Sequence, residues 1–175
     1  DDPPAVEWHP FDLRASKRGP DGEIDHDADD GKDEAYFERA RQNVRQLADQ
    51  YGVEMVVDRD RDVDSFRAQQ LALAVQARYD RETFAALDDA IFDAHWREER
   101  DVGDPEVLVD LAEGAGIPAE EVRAILDDEE RAADLRSRFD DARRHGVTGV
   151  PTFVYDGYAA RGAVLPEQLR RLVEG

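Results

Sequence analysis

The sequence predicts an α/β fold with strand-forming stretches towards both ends and nearly continuous helix between them. Three observations carry that expectation. Residues 6–11 and 53–58 read as short strands on either side of a helical periodicity. From Ser65 to His145 apolar residues recur at helical spacing, punctuated by caps and stops. Finally, Thr152 to Tyr155, Asp156-Gly157 and Tyr158 to Arg161 spell strand, two-residue turn and strand.

In chain order, the first strand at 6–11 gives way to a polar, glycine-containing loop at 14–33 with no periodicity. A loop of that length in a compact domain is either functional or mobile. A helix should start at Asp33, with Phe37, Ala40, Val44, Leu47, Ala48 and Tyr51 as its stripe and Gly52 as its stop. A strand at 53–58 follows. Ser65 is placed to cap a helix running to about Tyr79, apolar around Leu71, Leu73 and Val75 and therefore central. The stretch 83–96 carries Phe84, Leu87, Ile91 and Trp96 at helical spacing. Asp104-Pro105 is a cap followed by proline at the first helical position, and that helix should end near Gly114 to Gly116. Ile117-Pro118 starts a short helix with Val122, Ile125 and Leu126. The last long helix spans 128–145 with Leu135, Phe139 and Ala142 inward, and His145-Gly146 supply its end. Pro166 opens a terminal helix whose Leu169, Leu172 and Val173 share one face.

Composition narrows the function. The chain has 175 residues and no cysteine, which excludes a disulfide scaffold and a thiolate metal site within these residues. Acidic residues number 43 against 23 basic, a net charge of −20, with Lys17 and Lys32 the only lysines. Solvated helix faces explain part of this excess, and adaptation to concentrated salt explains the rest. At about 1 M ionic strength the screening length falls to roughly 3 Å, and surface repulsion largely disappears. A salt-loving source is therefore expected. No basic patch is visible for phosphate binding, so nucleic acid is not expected as a partner. Nor is a membrane, since no apolar run approaches a span.

Other constellations are weak. Asp25, Asp27 and Asp29 match the first ligand positions of a calcium loop, but Asp30 replaces the required glycine and Tyr36 the bidentate glutamate. A solvated acidic loop is the better reading. The histidines at 9, 26, 95 and 145 show no zinc-binding spacing, and Ser16, Ser65 and Ser137 lie in no nucleophile elbow. No metal or cofactor is expected. His145 could tune a nearby thiolate, although a helix-capping role suits its position better.

The segment from His145 to Tyr158 is the most informative. A helix stop is followed by Val150-Pro151 at the mouth of the hairpin. Proline cannot donate to a ladder, so Pro151 belongs at the strand's start. X-Pro bonds are where cis peptides occur, and a cis bond here is expected to present the backbone of Val150 to an incoming extended chain. Gly149-Val-Pro-Thr-Phe-Val, a hairpin and a helix resemble the C-terminal half of a thioredoxin fold, and more narrowly the DsbA-like thiol-disulfide oxidoreductases of the FrnE type. Val6-Glu-Trp-His-Pro-Phe-Asp-Leu13 resembles that family's second strand, and Arg100 to Ala112 a stretch of its inserted helical domain. Ala159-Ala-Arg-Gly-Ala163 is similar to its second hairpin strand and the glycine that ends it.

The resemblance implies a thioredoxin-like α/β fold with an all-helical insertion. The N-terminal part would span 1–62, the insertion 63–140 and the C-terminal ββα part 141–175. It further implies dithiol-disulfide exchange on protein or small-molecule substrates. Val150 would supply the backbone that pairs with substrate, Pro151 would shape the loop, and Thr148 and Gly149 would line its approach. The family's Cys-X-X-Cys pair has no counterpart here, so no catalytic residue is assigned within the chain. Either a segment carrying the pair lies upstream of Asp1, or the protein is a redox-inactive relative. The first is expected, because a sheet lacking its first strand loses a central element. Two alternatives stay open. One is a glutathione-dependent isomerase or transferase of the 2-hydroxychromene-2-carboxylate isomerase or kappa type, with serine in place of the first cysteine. The other is a redox-inactive binding module. A cytoplasmic location is expected.

Overall fold

The computed structural model describes residues 6–25, 27, 28, 31, 33–58 and 63–174. The chain divides into two compact units, Ser16–Ala132 and the combination of Asp1–Ala15 with Ala133–Gly175. The boundaries differ from the expected 63–140 insertion: the segment from Ser16 onward and the first long helix group with the other helices.

In the unit Ser16–Ala132, helix α1 (Glu34–Tyr51) is capped by Asp33, whose carboxylate accepts from the Tyr36 N–H at 2.8 Å. Its predicted stripe is only half-buried at Phe37, Val44, Leu47 and Ala48, while Ala40 and Tyr51 stay exposed. Helix α2 (Phe66–Arg78) follows Ser65, but the Ser65 side chain makes no cap bond. Asp64 instead accepts from the Phe66 N–H at 3.0 Å. The same carboxylate takes a two-pronged ion pair from Arg18 at 2.7 and 2.8 Å. Arg18 also donates to the Gly22 carbonyl, and its guanidinium lies over the Phe66 ring. These bonds, a 3₁₀ turn at Ala15–Lys17 and a bridge between Arg18 and Ile24 order the first part of the expected loop. The remainder of the acidic stretch is partly outside the described residues: of 25–31, His26, Asp29 and Asp30 fall there. The Asp25 carboxylate accepts from the Asp27 N–H at 3.0 Å.

Helices α3 (Arg81–Trp96), α4 (Pro105–Gly114) and α5 (Ala119–Leu126) follow the predicted order. Asp80 caps α3 by accepting from the Thr83 N–H at 2.8 Å, and Asp104 caps α4 through the Glu106 N–H at 2.9 Å. Backbone hydrogen bonding holds the Asp80 carboxyl below the usual aspartate range. Helix α2 packs on α3 and α5, and α4 packs on the same two. Their shared core is Leu71 and Val75, Leu87 and Ala94, Leu108 and Ala112, Val122 and Ile125. Burial of such side chains contributes about 1.5–3 kcal/mol each.

Helix α6 (Glu129–Arg144) contains the boundary between the units. In the second unit, strands β1 (Thr152–Tyr155) and β2 (Tyr158–Arg161) pair antiparallel, Thr152 opposite Arg161 and Tyr155 opposite Tyr158. Asp156 and Gly157 both have positive φ, 47° and 83°. That is the condition for the tight turn whose twist matches two hydrogen-bonded strands, and Asp-Gly meets it cheaply. Helix α7 (Pro166–Glu174) lies against both strands and half-buries Leu169, Leu172 and Val173.

The strands expected at 6–11 and 53–58 do not form. An extended segment becomes a strand only when a neighbour's N–H and C=O groups complete the ladder. Val6 and Trp8 instead remain 67% and 60% exposed. The Val56 N–H donates to the Trp96 carbonyl at the end of α3. Among the described residues the sheet has two strands, β1 and β2.

Candidate functional site

The four residues singled out by sequence, Thr148, Gly149, Val150 and Pro151, form the connection between α6 and β1. The end of α6 fixes where this loop begins. Gly146 takes a left-handed conformation, φ +78°, closed by two bonds: the Gly146 N–H to the Arg143 carbonyl at 2.9 Å and the Val147 N–H to the Ala142 carbonyl at 3.0 Å. A side chain at Gly146 would strain that reversal. His145 Nδ1 lies 2.8 Å from the Asp141 carbonyl, a contact back onto the last helical turn. That contact agrees with the capping role.

The loop's far end is fixed by the hairpin. The Val150–Pro151 peptide bond is cis. The Pro151 carbonyl accepts from the Gly162 N–H at 2.8 Å, so the ladder continues one step past Thr152. Within the loop, the Thr152 hydroxyl donates to the Gly149 carbonyl at 2.6 Å. From β2, the Arg161 guanidinium donates to the Gly146 carbonyl at 3.0 Å. Sequence reading missed both braces; the one from Arg161 depends on which residue the hairpin register sets beside the loop.

Between these braces Val150 is 47% exposed, and Thr148 and Pro151 are exposed as well. Among the described residues, neither the N–H nor the C=O of Val150 has a hydrogen-bond partner within the chain. A rigidly flanked residue with both backbone groups open is a short template for an extended peptide. No side chain in the loop is a nucleophile suited to bond-making chemistry. Among the described residues no cluster of His, Cys, Asp or Glu could hold a metal ion.

The chain matches the family model of the DSBA-like thioredoxin domain over residues 2–174. Among solved structures it is similar to a probable DsbA oxidoreductase from Streptomyces coelicolor, with 33% identity and a TM-score of 0.65. That likeness covers 81% of this chain and 60% of the Streptomyces protein. A "putative protein disulfide isomerase" from Nitrosomonas europaea shares the fold at 19% identity and a TM-score of 0.67, covering 81% of this chain and 73% of its own. No curated protein matches the sequence. A two-stranded hairpin followed by a helix, a helical unit and a match across nearly every residue lead to one assignment: the chain belongs to the DSBA-like thioredoxin domain family, an α/β thioredoxin fold with a helical insertion.

Proposed function

We propose that this domain serves a thiol-disulfide oxidoreductase or isomerase of the DsbA type, in which residues 148–151 form the ledge that receives a thiol- or disulfide-bearing substrate. Membership of the family and the name of the Streptomyces relative support the reaction class. The observation that carries the site is Val150, an exposed residue whose N–H and C=O have no partner among the described residues while the residues around it are braced.

The chemistry needs a Cys-X-X-Cys pair, and the 175 residues contain no cysteine. In this reading the pair lies upstream of Asp1. One thiolate, its pKa lowered at a helix N-terminus, attacks a sulfur of the substrate disulfide. The S–S bond breaks, a mixed disulfide forms, and the other substrate sulfur leaves as a thiolate. The second thiol of the pair then loses its proton and attacks the mixed disulfide. The substrate leaves reduced by two electrons and the protein pair is left as a disulfide. The role of residues 148–151 is to align the substrate backbone, with Thr148 and Gly149 lining the approach.

The finer placement proposed is a FrnE-type member working in the cytoplasm of a salt-loving organism; the net charge of −20 and the scarcity of lysine support the salt-loving source. That charge also weighs against nucleic acid as a partner. The absence of cysteine favours a second reading, a redox-inactive module that binds extended peptides on the same ledge. Insulin reduction separates the two. The gene-encoded protein, in high salt with dithiothreitol as reductant, should speed precipitation of the reduced B chain. A rate equal to that of dithiothreitol alone removes the oxidoreductase reading.

A further inference from the structure

The ledge is flanked by an arginine that the exchange reaction does not require. The register sets Arg161 opposite Thr152, immediately after Pro151, and Gly162 N–H to Pro151 C=O ties the two backbones. Arg161 thus sits across the ladder from Thr152, two residues along the chain from Val150. Its guanidinium spends one nitrogen on the Gly146 carbonyl, is exposed, and has no carboxylate partner among the described residues. Since a guanidinium carries five donors in a planar fork, donors remain to take a carboxylate.

The charge distribution points the same way. Residues 133–175 hold seven basic and six acidic residues, a net +1, in a chain of net −20. The segment that builds the ledge therefore carries little of the chain's negative charge, and repels an anion less than the strongly acidic remainder. Nearby on α6, Arg143 and Arg144 are paired with Asp140 and Asp141, whereas Arg161 has no such carboxylate among the described residues.

We propose that Arg161 determines specificity: the ledge prefers an acidic peptide segment, with a carboxylate one or two residues from the sulfur-bearing residue. This rests on the docking reading of residues 148–151. The fork of Arg161 grips the carboxylate while the Val150 backbone pairs with the peptide.

Unreactive peptides containing S-methylcysteine, flanked either by aspartate or by asparagine, test it. Affinity is measured by calorimetry at the lowest salt that keeps the protein folded, and the Val150 amide resonance reports the site. The aspartate peptide should bind about two- to fivefold tighter, the range of an exposed ion pair. In Arg161→Gln that ratio should fall to unity. In Arg161→Lys, which keeps the charge and loses the fork, it should fall part of the way, and this variant carries the test should the glutamine protein not fold. Equal affinities in the unaltered protein, or a preference that survives Arg161→Gln, overturn the assignment of Arg161 while leaving the ledge intact. If neither peptide shifts the Val150 amide, the docking reading fails and the inference falls with it.

Discussion

Val150 has its effect through what its neighbours do. The Gly149 carbonyl is held by the Thr152 hydroxyl and the Pro151 carbonyl by the Gly162 N–H, so Val150 is presented from a braced segment. Thr152→Val keeps the shape of the side chain and deletes the donor. It should cost about 1 kcal/mol in urea denaturation and weaken peptide binding at the loop. Full stability in that variant would show that the brace contributes nothing. Asp88, on α3, behaves differently. Burial, with the nearby charge of Asp89 added, raises its carboxyl above the usual 3.8. Folding then favours the protonated acid, so stability falls as pH rises from that value through the raised one, and stays lower above it. Asp88→Asn should therefore raise the melting temperature by a few degrees at neutral pH. The gain should vanish below about pH 3, where both side chains are neutral. An equal gain at both pH values would contradict the assigned cause.

At the scale of elements, the helical unit depends on one buried amide that no sequence pattern announces. Gln70 on α2 is 3% exposed, and its Nε2 donates to the Ile125 carbonyl at 2.7 Å, with Asp128 and Leu126 carbonyls at 3.3 and 3.5 Å. It adds a donor to the carbonyls at the turn between α5 and α6 from a residue 55 positions away from Ile125. Gln70→Leu would remove that donor while the Ile125 and Asp128 carbonyls keep their backbone partners, at a cost of about 1 kcal/mol. Faster amide exchange at Asp127 and Ala132 should accompany it. Local signals such as Asp33 as a helix start, Asp104 as a cap, Asp156-Gly157 as a turn and Pro166 as a helix opener were legible because each acts within four residues. The ties between Gln70 and Ile125, between Arg18 and Asp64 and between Arg161 and Gly146 were not, because they join residues 15 or more apart. The expected strands at 6–11 and 53–58 failed for the same reason: alternation supplies a surface but not the partner a ladder needs.

For the whole molecule, charge dominates. A net −20 on 175 residues strains the folded chain in dilute buffer and is relieved as salt shortens the screening length. The melting temperature should rise by several degrees between about 0.1 M and about 2 M potassium chloride, as the screening length drops below about 3 Å. A melting temperature indifferent to salt would undo the proposed adaptation. The run of helices ahead of the C-terminal hairpin was readable from periodicity, whereas the division at Ala132 was not, since it falls inside α6 rather than at a composition break. The claim on which function rests is that the backbone of Val150 is an open docking template, and hydrogen exchange at its amide measures this directly. Free in solution, that N–H should exchange at close to the rate of an unstructured peptide, and it should slow by at least about tenfold when an extended S-methylcysteine peptide saturates the protein. An amide already protected in the free protein, or one unaffected by saturating peptide, would contradict the account.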